Sequence, residues 1–181
     1  LEKPLCVTPE ELDELIQLIE KQKRLPIVQV GHNRRFSPHV QQIRKWLQHR
    51  VDPLVLQMRV NAGYVPPDHW VHSESEGRSR IVGEMSHFID LMQALIGSLP
   101  VQIHAERVDG NNRSVVNNDN IVALLKFADG SVGSLTYSAS GDKGYSRWFL
   151  YTSDAADDTS CVVLRSCLRL YNTLVLCTPR H

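Results

Sequence analysis

The sequence predicts an α+β fold: the end of an α/β unit, then an open, mainly antiparallel sheet with helices on one face. Two observations carry this prediction. A capped amphipathic helix leads into a short apolar run over 27–30, the order in which an α/β unit ends. Further along, three β-type stretches follow a long helix with only short breaks, which favours antiparallel neighbours over further crossovers.

Thr8 is placed to cap the first helix, Pro9 to open it and Glu11 to complete a capping box. Leu12, Leu15, Ile16 and Ile19 share a face, giving an amphipathic helix to about Arg24 that Pro26 stops. Residues 27–30 read as a short buried strand and 31–38 as a polar loop. Ser37 and Pro38 start a second helix that turns Val40, Ile43 and Leu47 inward. Over 54–60, Leu54, Leu56, Met58 and Val60 alternate with Gln57 and Arg59, the mark of a half-buried strand. Residues 61–80 lack a period and are rich in Gly, Pro, His and Ser; loops of that length in compact domains are usually functional or disordered. The best helix covers 81–96, with Ile81, Met85, Phe88, Ile89, Met92 and Ile96 on one face and Gly97 as its C-terminal cap. Strands are expected over 101–108, 120–127 and 131–139, the last two joined by a hairpin turn at Ala128-Asp129-Gly130.

From about residue 150 the pattern is lost. Residues 151–158 are small and polar, and 161–181 mix Cys, Leu, Arg and Thr without a period. Residues 150–181 read either as a divergent tail foreign to the fold, such as out-of-frame or adapter-derived translation, or as a terminal strand and helix whose pattern is hidden.

Bulk properties exclude several function classes. A chain of 181 residues, 42% hydrophobic and 22% charged, is ordinary for one globular domain, or for one domain with the remnant of another. Its 20 basic and 20 acidic side chains cancel, so nothing favours capture of nucleic acid or an anionic membrane. No apolar run approaches the ~18 residues of a membrane span, and the first residues are unlike a signal peptide, so a cytoplasmic location is expected. Cys6, Cys161, Cys167 and Cys177 show no Cys-x-x-Cys spacing, and neither a disulfide framework nor a metal site is expected from them.

Four motifs stand out in order. They are Glu2-Lys3-Pro4; Gly31-His32-Asn33-Arg34-Arg35-Phe36; Gly83-Glu84-Met85-Ser86-His87-Phe88-Ile89-Asp90-Leu91; and Phe127-Ala128-Asp129-Gly130-Ser131. Together, over about residues 1–147, they resemble the glucose–fructose oxidoreductase / inositol dehydrogenase / MocA family. The resemblance implies an N-terminally truncated chain. Residues 1–36 would be the end of a Rossmann dinucleotide-binding domain, and 37–149 an α/β substrate and oligomerisation domain. It further implies NAD or NADP as cofactor, a sugar or cyclitol as substrate, and a homo-oligomer formed through the open sheet. A sheet face around Leu124 and Leu135 would suit a partner's matching sheet. The wording from Asn61-Ala62-Gly63-Tyr64 to Asp68-His69-Trp70 is similar to a branch acting on larger, nucleotide-linked sugars. The chain departs from the family in two places. It has no G-x-G-x-x-G, and Gly83 stands where many members carry an acidic residue four positions before the histidine.

The chemistry asks for a base and for a group that steadies an alkoxide. His87 suits the first role, since imidazole titrates near neutral pH, although a lone histidine is more often a surface or satisfied core residue. Lys3 suits the second and can also position the cofactor; Pro4 would aim it by restricting the local backbone. Asp90 and Glu84 lie one turn after and before His87, so either can orient the imidazole. In the cleft implied by the resemblance, Glu2, Lys3, Pro4 and Arg35 would face the cofactor. Asn33, Arg34, Tyr64, Trp70 and Glu84 would face the substrate, Arg34 as an anion binder and Trp70 as a stacking ring. His69-x-x-His72 with Glu84, His87 and Asp90 invites a metal, but two loop histidines fall short of the three or four converging ligands that zinc needs. Two other readings stand beside the enzyme fragment: a noncatalytic module whose sheet serves assembly or ligand binding, and a metal hydrolase. The truncated chain is expected to be inactive alone, because the glycine loop that would hold pyrophosphate is missing.

Overall fold

Alternating apolar side chains give the sheet one face to bury, and two helices cover that face. The computed structural model describes residues 1–24, 27–73, 79–109, 120–140, 148–154, 161–164 and 174–177, the last three stretches as backbone only. β1 (Leu54–Asn61), β2 (Pro100–Arg107), β3 (Asn120–Phe127) and β4 (Val132–Ser138) lie in the order β2-β3-β4-β1. β3 runs antiparallel to both β2 and β4, while β4 and β1 are parallel, so the sheet is mixed but mostly antiparallel, as expected. β5 (Trp148–Asp154) lies antiparallel beside β1, and β6 (Cys161–Leu164) pairs with β7 (Leu174–Cys177). The division expected at residue 150 falls within β5, and the rest of 150–181 outside these strands lies outside the described residues.

α2 (Pro38–Leu47) starts as the sequence suggests: Pro38 opens it and the Ser37 hydroxyl accepts from the Val40 N–H at 3.4 Å. Val40 and Ile43 are buried against α3 (Ser86–Ile96), which a π-turn at Ile81–Met85 precedes. The single helix expected over 81–96 is therefore in two parts. It ends at Gly97, whose φ of 76° is left-handed and whose N–H donates to the Gln93 carbonyl at 2.8 Å. Phe88, Leu91, Met92, Leu95 and Ile96 meet Leu56, Met58, Leu125, Phe127 and Leu135 in one core. Burying each such side chain stabilises the fold by roughly 1.5–3 kcal/mol. Gly133 lets helix and sheet approach, since a Cβ there would stand 2.3 Å from Met92 Cε.

The β3–β4 hairpin forms as expected. Gly130 has a φ of 93°, and the Asp129 carboxylate accepts from the Ser131 N–H at 3.0 Å and from its hydroxyl at 2.9 Å. Arg50 reaches across to the same carboxylate at 2.9 Å, tying the end of α2 to the turn. The face expected to include both Leu124 and Leu135 is corrected. Leu135 is fully buried under α3, whereas Leu124 is 50% exposed on the outer face. Leu124 pairs with Ser134 and Ala123 with Leu135, so the register sends the two leucines to opposite sides.

The N-terminal region behaves differently. α1 (Pro9–Glu20) has its capping box, with the Glu11 N–H on Thr8 Oγ1 at 3.1 Å and the Thr8 N–H on Glu11 Oε2 at 3.3 Å. It stops at Glu20 rather than near Arg24, because Lys21, Gln22, Lys23 and Arg24 offer no apolar face. No residue of α1 is buried. The buried strand expected over 27–30 is absent: Ile27 is 102% and Val28 49% exposed. A buried strand needs a sheet on its edges and a layer on its faces. Among the described residues, Leu1 alone pairs with it, its ammonium donating to the Gln29 carbonyl at 2.8 Å and its carbonyl accepting from the Gly31 N–H at 2.9 Å. Those two bonds flank residue 30 as one rung of a parallel ladder would. Among the described residues, no helix is long and apolar enough to cross a membrane.

Candidate active site

The π-turn brings the chain's first residues to the helix that carries His87. A π-turn holds one residue more than an α-turn and throws the carbonyl ladder out of step, a device common at functional sites. Here the Lys3 ammonium donates to the Gly83 carbonyl inside that turn, four positions before His87 and so about one turn away. Lys3 and Pro4, joined by a cis peptide bond, are half-buried, and Glu2 beside them is exposed.

His87 is 8% exposed, and its Nδ1 is buried with no hydrogen-bond partner among the described residues. Burial first, then the charges of Lys3, Arg34 and His32, pull its pKa down to about 4, with Asp90 opposing weakly. At neutral pH the ring is therefore uncharged and able to accept a proton. Lys3 and His87, 84 positions apart in the sequence, thus share one electrostatic environment.

Glu84 and Asp90 are both held by arginines. Glu84 accepts from Nε and Nη2 of Arg80, each at 3.1 Å, and from the Tyr137 hydroxyl at 2.7 Å. Arg80 is 2% exposed, donates to the Gly63 carbonyl at 2.6 Å and lies 5.5 Å from the Tyr137 ring centre. Burial favours the neutral acid of Glu84, but Arg80, Tyr137 and the charge of Lys3 together outweigh it and hold the carboxyl below its ordinary value. Asp90 does not hydrogen-bond the imidazole as expected. Both its oxygens face the Arg35 guanidinium, with Nε on Oδ2 at 3.0 Å and Nη2 on Oδ1, because the planar fork of arginine matches a carboxylate. Arg35 and Asp90, expected at the cofactor and at the imidazole, therefore pair with each other. They pin the turn at Asn33–Phe36 onto α3, while the Arg34 guanidinium lies 4.4 Å from the Phe88 ring centre.

Tyr64 and Trp70 are 56% and 60% exposed, and the Trp70 ring lies against His69 with centroids 5.5 Å apart. Asn33 is exposed on its turn. Among the described residues, no three His, Cys, Asp or Glu side chains assemble as metal ligands. His69 Nδ1 instead accepts from the Val71 N–H at 3.2 Å.

Three residues at this centre escaped the sequence reading. His32 stands beside His87 with ring centroids 5.5 Å apart and planes at 88°, its own Nδ1 buried without a hydrogen-bond partner among the described residues. It lies within a motif already singled out, so proximity to Arg34 was its only signal. Arg80 lies four residues before Glu84, a legible helical ion-pair spacing. Tyr137 carries no signal beyond its place in an alternating strand.

The assembled groups are an ammonium, a neutral imidazole and two buried ring nitrogens without a hydrogen-bond partner among the described residues. Chemically, such a set can donate to one oxygen and accept a proton. Lys3, His32 and His87 would meet the reactive end of an alcohol paired with a nicotinamide; no G-x-G-x-x-G for the cofactor's pyrophosphate occurs in the 181 residues.

Solved structures share this architecture. The UDP-N-acetylglucosamine 3-dehydrogenase of Acidithiobacillus ferrooxidans matches with a TM-score of 0.65 at 23% identity, over 90% of this chain and 48% of that one. Myo-inositol dehydrogenase of Lactobacillus casei, solved with NAD(H) and myo-inositol, matches at 0.64 and 20%, over 93% and 50%. An NAD-binding protein of Listeria innocua matches at 0.68 and 18%, over 90% and 45%. At such identities the likeness shows the fold, and the chain spans about half the length of each. No curated protein sequence matches it. Residues 40–163 match the family model for the GFO/IDH/MocA C-terminal domain. The chain belongs to the GFO/IDH/MocA family, relatives of NAD-dependent sugar and inositol dehydrogenases, and carries its C-terminal domain.

Proposed function

We propose that this chain is the substrate-facing half of an NAD(P)-dependent dehydrogenase acting on a hydroxyl of a sugar, cyclitol or nucleotide-linked sugar. The observation that supports the reading is the Lys3 ammonium on the Gly83 carbonyl, about one turn before His87, whose imidazole feels its charge. Bound nicotinamide would supply the hydride acceptor for alcohol oxidation. His87 Nε2, the ring nitrogen opposite the buried Nδ1, accepts the hydroxyl proton as carbon and oxygen become a carbonyl. Lys3 donates to the same oxygen and steadies the charge that develops on it. Arg34 serves anionic substituents on the sugar. Glu2, Lys3 and Pro4 would hold the nicotinamide end of the cofactor, while Arg35, paired with Asp90, holds the 33–36 turn on α3.

Residues 1–36 are, in this reading, the end of the dinucleotide-binding domain. The support is the unburied apolar face of α1 and the single ladder rung between Leu1 and residue 30. The outer sheet face, with Val55, Val122 and Leu124 about half exposed, suits a second copy. By itself the chain would bind NAD(H) no tighter than millimolar, and micromolar binding in a calorimetric titration would count against the division.

The deciding test uses a version that includes a dinucleotide-binding half. Lys3→Met and His87→Gln should each lower kcat by about 10²–10⁴-fold on the accepted sugar. Wild-type rates in both variants would remove the catalytic assignment and leave the assembly-module reading, which predicts unchanged self-association in both.

A further inference from the structure

We propose that His32 is a positioning residue for His87, fixing the plane of its imidazole and setting its own charge against a proton there. The inference rests on the dehydrogenase reading for the use made of that proton; the pairing of the rings stands without it.

An imidazole is usually oriented by a hydrogen bond from the nitrogen that does not react. His87 lacks one: its Nδ1 is buried and has no hydrogen-bond partner among the described residues. The carboxylate one turn along the helix, Asp90, is occupied by Arg35. Something else must set the plane of the ring. The His32 ring does so by edge-to-face contact, at a centroid distance of 5.5 Å and an interplanar angle of 88°. Such contacts prefer defined geometry, because the ring edge is positive and the face negative.

The second half of the proposal follows from charge. The groups acting on His87 are Lys3 from the N-terminal segment, Arg34 and His32 from the 31–36 segment, and Asp90 from its own helix. Three of the four are cationic when protonated, and the one carboxylate is already paired. A positive charge on His32 therefore raises the cost of a proton on His87, as the charges of Lys3 and Arg34 do. His87 is kept uncharged until a substrate hydroxyl delivers a proton, and His32 holds the acceptor in one orientation.

The test follows the histidine ring C–H signals of the 181-residue chain by NMR through an acid titration, with His87 identified by its loss in His87→Gln. In the wild type, the His87 midpoint should lie near 4 and its ring signals should carry the displacement of a neighbouring ring set edge to face. In His32→Phe, which keeps an aromatic edge without a charge, the His87 midpoint should rise from about 4 by about half a unit. In His32→Gln it should rise similarly, and the His87 signals should also lose their ring-current displacement. Wild-type His87 signals without a ring-current displacement, or an unmoved His87 midpoint in a folded His32→Phe or His32→Gln, would overturn the proposal. The two substitutions remove the His32 charge independently, so one that misfolds leaves the other to decide. Failure of the dehydrogenase reading would show instead in the rates of the Lys3→Met and His87→Gln enzymes, with the ring coupling intact.

Discussion

The helices α3 and α1 carry equally clear amphipathic patterns, yet only α3 buries what it displays. In α3 the apolar stripe meets β1, β3 and β4, and Leu56, Met92, Leu125 and Leu135 are sealed from solvent. In α1 the stripe is as regular and the capping box complete, but Leu12, Ile16 and Ile19 stand 41%, 44% and 36% exposed. Pattern and caps are thus enough to make a helix, and they do not say what covers it. Most helical stability in proteins comes from packing the apolar face, which places α1 and α3 at opposite ends of that scale.

Substitutions can break this contrast or sharpen it. Leu125→Ala should cost about 2–5 kcal/mol in urea unfolding, since it opens a cavity in the middle of the sealed face. Arg80→Ala comes next, at about 1–3 kcal/mol, because it takes the guanidinium donors from the Glu84 carboxylate and the Gly63 carbonyl. A protein that tolerates either change unharmed would not have the core described above.

Acid should act on the same region. His87 has a folded pKa of about 4, below its ordinary 6.5, so the unfolded chain binds more protons between those values. Stability is full above 6.5 and falls as pH drops toward 4. The depressed Glu84 carboxyl adds to the loss below its ordinary 4.5. Urea midpoints measured at neutral and acid pH should therefore fall in the wild type and fall less in His87→Gln. The smallest effect belongs to α1, where Ile16→Ser should change stability by no more than about 0.5 kcal/mol. A larger loss there would mean that α1 is covered after all.

The strands and caps were legible because their signals are local. Leu54, Leu56, Met58 and Val60 alternate within one strand, Thr8 and Glu11 lie three apart, and Gly97 follows the last apolar residue of its helix. Errors arose where the deciding partner was distant. Alternation says which residues of a strand share a face, but the face that Leu135 takes depends on its register with Ala123. Residues 27–30 have strand composition and no sheet to join. Lys3 and His87 came from resemblance, and the structure brings them to one turn of helix. Tyr137 reaches Glu84 across 53 residues of chain, and nothing in the spelling of a strand announces such a bond. Asp90 was assigned to the nearer imidazole, whereas an arginine 55 positions away offered the better geometry.

The π-turn at Ile81–Met85 makes the centre separable from the scaffold by a single codon. Deleting Val82 would let the ladder run in α-register, and the residues just before it would swing by about 100° around the helix axis. Downstream, His87 and the stripe from Phe88 to Ile96 would keep their seats on the sheet. Arg80 would rotate off Tyr137, and the carbonyl that receives Lys3 would turn elsewhere. The core would outlast the contacts that Arg80 and Lys3 now make.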